Sequence, residues 1–391
     1  MSFKISTSFY SFLSIIYFIG FMIVENGTFF SSASKIILAF FVFLGLLNYK
    51  RVFNSYVLWI SCYTIFVVLS IYWASYVDFA RQSALTVVYT SICSLIFPIL
   101  ISNDDQEINF IYKLIIVLPI MYFVYYIVNN EVQNFFDLRQ NATNQGYNNI
   151  GLYAAYSFIF IKIYQFNQGR TSVLYHILIV IDFVLIAISQ SRKAIIYVVL
   201  VVILSHILES KNILRTLIRL VISTGLIVLL YFFFRSGLAG SLMQNLILSI
   251  EGSGTDSSYI GRVNQLDISM RLFNQNRFLG VGIGGIEYVS RFIEGQRAPI
   301  VDNDYLDVLA DLGLCGFLIY YGFHCYLFRL YFKYKSIWNR KNLMFFVLLV
   351  ILFIQGFLIR GYFNNYYIPL LLYLIYFDTK QLKIKGIQFK C

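Results

Sequence analysis

The sequence predicts an all-α fold, a polytopic transmembrane helix bundle of about twelve spans. Three observations carry that expectation. Hydrophobic residues make up 59% of the chain, with a mean hydropathy of +0.72. Only 13% of residues are charged, about half the ~25% of an average soluble domain. The apolar residues also fall in blocks of about 17–25, the length that crosses ~30 Å of hydrocarbon as helix. A membrane barrel would instead show alternating segments of about ten residues.

Taken in order, the expected spans are residues 5–24, 33–49, 56–74, 83–101, 108–128, 149–166, 172–189, 193–209, 216–234, 306–329, 343–360 and 362–378. Four prolines in 391 residues suit long helices. The first apolar run has only Lys4 before it and no small-residue cleavage site after it, so it reads as a retained span. The chain then divides into an N-terminal bundle over 1–234, a large outer loop over 235–305, and C-terminal helices and tail over 306–391. A second outer loop occupies 129–148 within the first part. A structureless connection as long as 235–305 is uncommon, so part of it should be folded.

Lysine and arginine placement gives the orientation. With both termini in the cytoplasm, 18 of the 30 basic residues fall inside, and leaving out the large loop strengthens the bias to that side. This bias also accounts for the net charge of +11 without a nucleic-acid partner. Residue type divides as well: twelve of fourteen lysines lie inside, whereas ten of twelve outer basic residues are arginines. Arginine's planar fork suits bidentate capture of phosphate. Snorkelling to lipid headgroups or pairing with loop acids would give the same distribution, and composition leaves both readings open.

Within the large loop, Tyr259–Asn276 has helical spacing. Val263, Leu266, Met270 and Phe273 share one face, while Asn264, Asp267, Arg271 and Asn274 share another. Such a helix suits the membrane interface, with Arg262, Arg271 and Arg277 either near a lipid-linked anion or touching headgroups. The glycines of Gly280-Val281-Gly282-Ile283-Gly284-Gly285 lack a surrounding βαβ unit, so close backbone approach or a sharp turn explains them better than a nucleotide site. Asp302-Asn303-Asp304 stands at the start of the tenth span, where a helix cap, a general base and a cation site are all open. The turn Ser189-Gln190-Ser191-Arg192-Lys193 is short enough that Arg192 needs water, headgroups or an anion. Asp182 falls mid-span and should face the bundle interior. His176 and His324 have no ligand-spaced partners and read as packed polar groups. The five cysteines, Cys62, Cys93, Cys315, Cys325 and Cys391, read as small core hydrophobes.

Several stretches together resemble the bacterial O-antigen polymerase and ligase superfamily. Arg139 followed by Asn148-Asn149-Ile150-Gly151 resembles its arginine, then asparagine at the start of a span. Ser191-Arg192 resembles its serine–arginine turn. Gly261-Arg262 with Phe278-Leu279-Gly280-Val281-Gly282 resembles its large-loop pattern of arginine, helix and glycine-rich turn. Asp302-Asn303-Asp304-Tyr305-Leu306 with Leu312-Gly313-Leu314-Cys315-Gly316 resembles the start of the following span.

The resemblance implies a metal-independent glycosyltransferase of the lipid-donor type, without cofactors, in the bacterial inner (plasma) membrane. Its partners would be an undecaprenyl-pyrophosphate-linked oligosaccharide, membrane lipids and a chain-length regulator protein. Arg139, Arg192 and Arg262, then Arg271 and Arg277, would hold the pyrophosphate, and Asp302 or Asp304 would activate the acceptor hydroxyl. Ligases of the superfamily carry a histidine where this chain has Asp302, which favours a polymerase making O-antigen or capsule. An O-antigen ligase and a lipid-linked oligosaccharide flippase are the alternatives. A flippase would place its charges within the spans.

Overall fold

The computed structural model describes residues 53–95, 98, 105–129, 146–168, 172–189, 191–209, 257–293, 303–357 and 367–388. Every regular element among them is helical. Helix α1 (Ser55–Leu69) continues as a tight turn to Trp73 and leads to α2 (Val77–Ser94), α3 (Asp105–Asn129) and α4 (Gly146–Gln168). Then follow α5 (Val173–Ser189), α6 (Arg192–Glu209), α7 (Ser257–Gln275) and the single turn α8 (Gly285–Tyr288). The chain closes with α9 (Asp304–Lys333), α10 (Arg340–Gln355) and α11 (Tyr367–Gln388). The spans expected at 5–24, 33–49 and 216–234 lie outside the described residues, and the other nine each fall on one of these helices.

Three described helices are long and apolar enough to cross a membrane: Ser55–Trp73, Ile108–Tyr125 and Asp304–Lys333. Burial explains the different compositions of the rest. α4 packs against α3, α5, α6 and α10, and it is buried on nearly all sides from Ile150 to Tyr164. A helix surrounded in this way must be apolar all round. α5 instead turns Val173, Leu174, Ile177, Val180 and Val184 outward, an apolar outer surface of the kind a hydrocarbon solvent selects. Cys93 is buried as expected, whereas Cys62 and Cys325 are exposed on helix surfaces. His324 is buried, but His176 is exposed and its ring nitrogen lies 3.1 Å from the Ser172 carbonyl.

The expected tenth span is divided. Gly313 has φ +66° and ψ −168°, which breaks α9. In a straight helix Tyr305 and Tyr321 would stand about 24 Å apart, yet their rings stack with centroids 4.5 Å apart. Residues 304–312 therefore fold back along the segment that starts at Leu314. The remaining stretch, 314–333, still has the ~20 residues needed to span hydrocarbon. α1 runs antiparallel to it, with Trp59 stacked on Phe323 at 4.6 Å and Phe66 against Gly316.

The break frees backbone groups, and the glycine-rich loop satisfies them. Val281 and Gly282 amides donate to the Ala310 and Asp311 carbonyls, each at 2.9 Å. In return, Leu314 and Cys315 amides donate to the Arg277 and Phe278 carbonyls at 2.9 and 3.1 Å. Buried backbone polar groups need such partners. Only glycine fits at 313, because its φ is left-handed and a Cβ would collide with the Phe278 carbonyl.

Candidate functional site

The amphipathic helix expected at Tyr259–Asn276 is present as α7, Ser257–Gln275, but it docks by a different face. Gln265, Ile268, Ser269 and Leu272 are buried, and the helix packs on α9 and α8. Leu266 and Met270, expected to lead the apolar face, are 38% and 45% exposed. Asn264, Asp267, Arg271 and Asn274 are exposed as expected. The docking face meets a small apolar cluster of Val281, Ile286, Val289 and Ala310, and it tolerates Ser269 because that hydroxyl donates to the Gln265 carbonyl of its own helix. Sequence spacing shows the more hydrophobic stripe of the helix, which is not the one that docks.

Asp311 joins this layer to the broken helix. Its carboxylate is fully buried and accepts from the amides of Gly284 (2.8 Å) and Ile286 (3.0 Å), at the start of α8. It is a helix cap supplied from elsewhere in the chain, and the charge suits a helix N-terminus. Ser70 and Trp73 complete the clamp from α1, through Ser70 Oγ to the Ile283 amide (3.2 Å) and Trp73 Nε1 to the Leu279 carbonyl (3.0 Å). The loop glycines thus permit a close backbone approach, with positive φ at Gly280, Gly282 and Gly284.

The fold-back carries Asp304 into the bundle. It is 4% exposed, its Oδ2 accepts from the Tyr321 hydroxyl at 3.2 Å, and its amide donates to the Gly356 carbonyl at 2.6 Å. The cap of this helix is Asn303, whose side chain accepts from the Leu306 amide at 3.1 Å. Asp307 is fully buried one turn on. Next to Gly356, the Gln355 side chain accepts from the Tyr156 hydroxyl. Tyr156 packs with Tyr197 and Tyr367, and Asp182, 2% exposed, lies beside Ser157 and near Tyr367. A polar and aromatic layer therefore crosses the bundle interior through α4, α5, α6, α9, α10 and α11.

Nearer the Gly146 end of α4, two motifs singled out in the sequence meet. Gly151 packs directly on Ser189 and Ser191, so closely that a Cβ would collide with the Ser189 hydroxyl. The turn that launches α6 at Arg192 is thereby pressed against α4, with the Ser191 hydroxyl accepting from the Ala194 amide at 3.4 Å.

Of the expected site residues, Asp304 is buried as described, Arg192 begins α6 and Arg262 lies in α7. Arg271 is exposed and paired with Asp267 at 2.9 Å, while Arg277 donates to Asn274 at 2.9 Å. Arg139 and Asp302 lie outside the described residues. Four further residues escaped the sequence reading: Asp311, Tyr321, Gln355 and Tyr156. Asp311 had a signal, because a carboxylate two residues before a glycine inside an apolar run needs a specific partner. The others looked like ordinary members of apolar helices.

Apolar helices of spanning length around a buried polar layer define an integral membrane protein of the helical-bundle class. A family model described as O-antigen ligase matches residues 177–321, which run from α5 through the glycine-rich loop and Asp304 to Tyr321. The match supports the O-antigen polymerase and ligase superfamily for that segment. No curated protein matches the chain.

Proposed function

We propose that this protein is a polysaccharide polymerase of the membrane, joining undecaprenyl-pyrophosphate-linked repeat units into O-antigen or capsule on the outer face. The observation that supports it most is the burial of Asp304 beside Gly356 and Tyr321, inside the segment matched to the O-antigen ligase family. In this reading, Asp302 or Asp304 takes the proton from a hydroxyl at the non-reducing end of a new repeat unit. That oxygen attacks the anomeric carbon of the growing chain, and the bond from that carbon to the lipid pyrophosphate breaks. Arg139, Arg192 and Arg262, with Arg271 and Arg277 behind them, hold the charge that develops on the departing pyrophosphate. Arginine suits that task because it stays charged and meets phosphate oxygens in pairs. The reading takes about twelve spans with both termini in the cytoplasm, and it admits a chain-length regulator as partner.

A ligase is the second reading, favoured by the description of the matching family. Against it, the three histidines are His176, His206 and His324, so the loop at 235–305 contains none to serve where ligases use one. Deleting the gene and resolving the surface polysaccharide on a gel separates the two. A polymerase deletion loses the ladder but keeps single repeat units attached, and Arg262→Ala and Asp302→Asn reproduce that pattern at normal protein level. Loss of all attached sugar, with polymer left on the lipid carrier, would overturn the polymerase in favour of the ligase. Unpolymerised units stranded on the inner face would indicate a flippase.

A further inference from the structure

We infer that Gly356, at the end of α10, is a positioning residue for Asp304, and that it acts through the space its missing side chain leaves. The inference rests on the reading of Asp304 as a base in polysaccharide transfer.

The junction between the two residues follows from how helices end. The first amides and the last carbonyls of a helix have no partner within it. Here the start of α9 meets the end of α10, and each satisfies the other. The Asp304 amide donates to the Gly356 carbonyl at 2.6 Å, and the Tyr305 hydroxyl donates to the Phe353 carbonyl. The positive end of one helix dipole thereby meets the negative end of the other.

The backbone at 356 does not call for glycine. Its φ of −55° and ψ of −24° are right-handed helical values open to most residues. Its surroundings are what exclude a side chain. A Cβ there would stand 2.6 Å from Tyr305 Cε2, 2.9 Å from Tyr305 Cζ and 3.0 Å from the Tyr321 hydroxyl oxygen. Carbon atoms in contact settle about 3.5–4.0 Å apart, so one or both tyrosines must move.

Both of them lead to Asp304. Tyr305 is its neighbour in the chain, and Tyr321 donates to its Oδ2. The two rings are also locked to each other, stacked with centroids 4.5 Å apart. Tyr305 packs further on Phe353 and Phe357, and Tyr321 on Phe317 and His324. In an interior packed this closely, added volume is relieved by displacing side chains from their preferred positions. The displacement reaches the carboxylate through the ring or through the hydroxyl.

Gly356 is itself buried, so a substitution there acts on the placement of Asp304 and not on contact with substrate. A misplacement of about 1 Å at a reacting group costs about 10²-fold in rate. The expected signature is a fall in kcat with KM kept.

The test uses the full chain purified in detergent, with repeat-unit lipid extracted from the gene-deletion host as substrate. Gly356→Ala should lower kcat about 10²-fold and leave KM within about twofold. Amide exchange should rise over 303–307, where the α9 amide bonds the Gly356 carbonyl. Gly322→Ala serves as the control, because a Cβ there meets nothing within 4 Å, and it should keep full turnover. In an Asp304→Asn background, Gly356→Ala should cause no further loss of kcat. Should Gly356→Ala prevent folding, Tyr305→Phe adds no volume and removes the bond to the Phe353 carbonyl. It should lower kcat about fivefold, the value of one hydrogen bond.

Full turnover in Gly356→Ala beside an impaired Asp304→Asn would overturn the positioning role alone. So would a loss from Gly356→Ala that adds to that of Asp304→Asn, or a rise in KM as large as the fall in kcat. Full turnover in Asp304→Asn would instead overturn the base reading on which the inference rests.

Discussion

The hydroxyl of Tyr321 donates to Oδ2 of Asp304 at 3.2 Å, although seventeen residues separate them along one nominal helix. That contact exists because Gly313 reverses the chain and the glycine-rich loop satisfies the backbone groups exposed by the reversal. The geometry of Asp304 thus depends on Gly313, Asp311 and the loop as well as on its own partners.

Replacing Gly313 by alanine should test this dependence directly. The left-handed backbone alone costs about 1–2 kcal/mol for a residue with a Cβ, and here that Cβ also meets the Phe278 carbonyl. We expect a lower melting temperature together with faster limited proteolysis across the glycine-rich loop. A variant with unchanged proteolysis would separate the loop from the break.

Asp311→Asn should loosen α8 without disturbing α4, α5 or α6. The two amides of Gly284 and Ile286 now share one carboxylate, and the carboxamide keeps only one acceptor oxygen. The expected loss is about 1.5–3 kcal/mol, the value of one hydrogen bond to a charged group. Amide hydrogen exchange confined to 280–290 would locate it.

Asp304→Asn and Tyr321→Phe should differ in size. If Asp304 is the general base, its substitution lowers the transfer rate about 10²–10⁴-fold. Loss of the Tyr321 hydroxyl removes one hydrogen bond, worth about 1 kcal/mol or roughly fivefold. Equal, small effects in a transfer assay with lipid-linked repeat units would leave the base role to Asp302.

Gly151→Val should act through Arg192. A side chain at 151 collides with the Ser189 hydroxyl and pushes the start of α6 outward. Activity should fall towards that of Arg192→Ala, and the double variant should be no worse than the more impaired single one. Additive losses would show that Gly151 acts independently of Arg192.

Much of the helical architecture is legible in the sequence. Apolar blocks of spanning length located nine of the described helices, because burying a backbone in hydrocarbon requires internal hydrogen bonding over that length. Asp182 was placed in the interior by the cost of exposing a charge to lipid, and it is buried there. The glycine-rich run leaves a close backbone approach and a sharp turn open in the sequence, and the structure shows the close approach. The docking face of α7 was misread: Gln265 and Ser269 look like surface residues, whereas Leu266 and Met270 look like core.

The sequence by itself therefore determined the helical class and the positions of the described helices, since both follow from local composition and the thickness of a bilayer. Only the tertiary structure decided that α9 folds back at Gly313, that Asp311 caps a helix far from it in the chain, and that Asp304 meets Tyr321 and Gly356. These relationships depend on one backbone angle and on hydrogen bonds between distant segments. No periodicity records such bonds, because each partner also satisfies the pattern of the helix it belongs to.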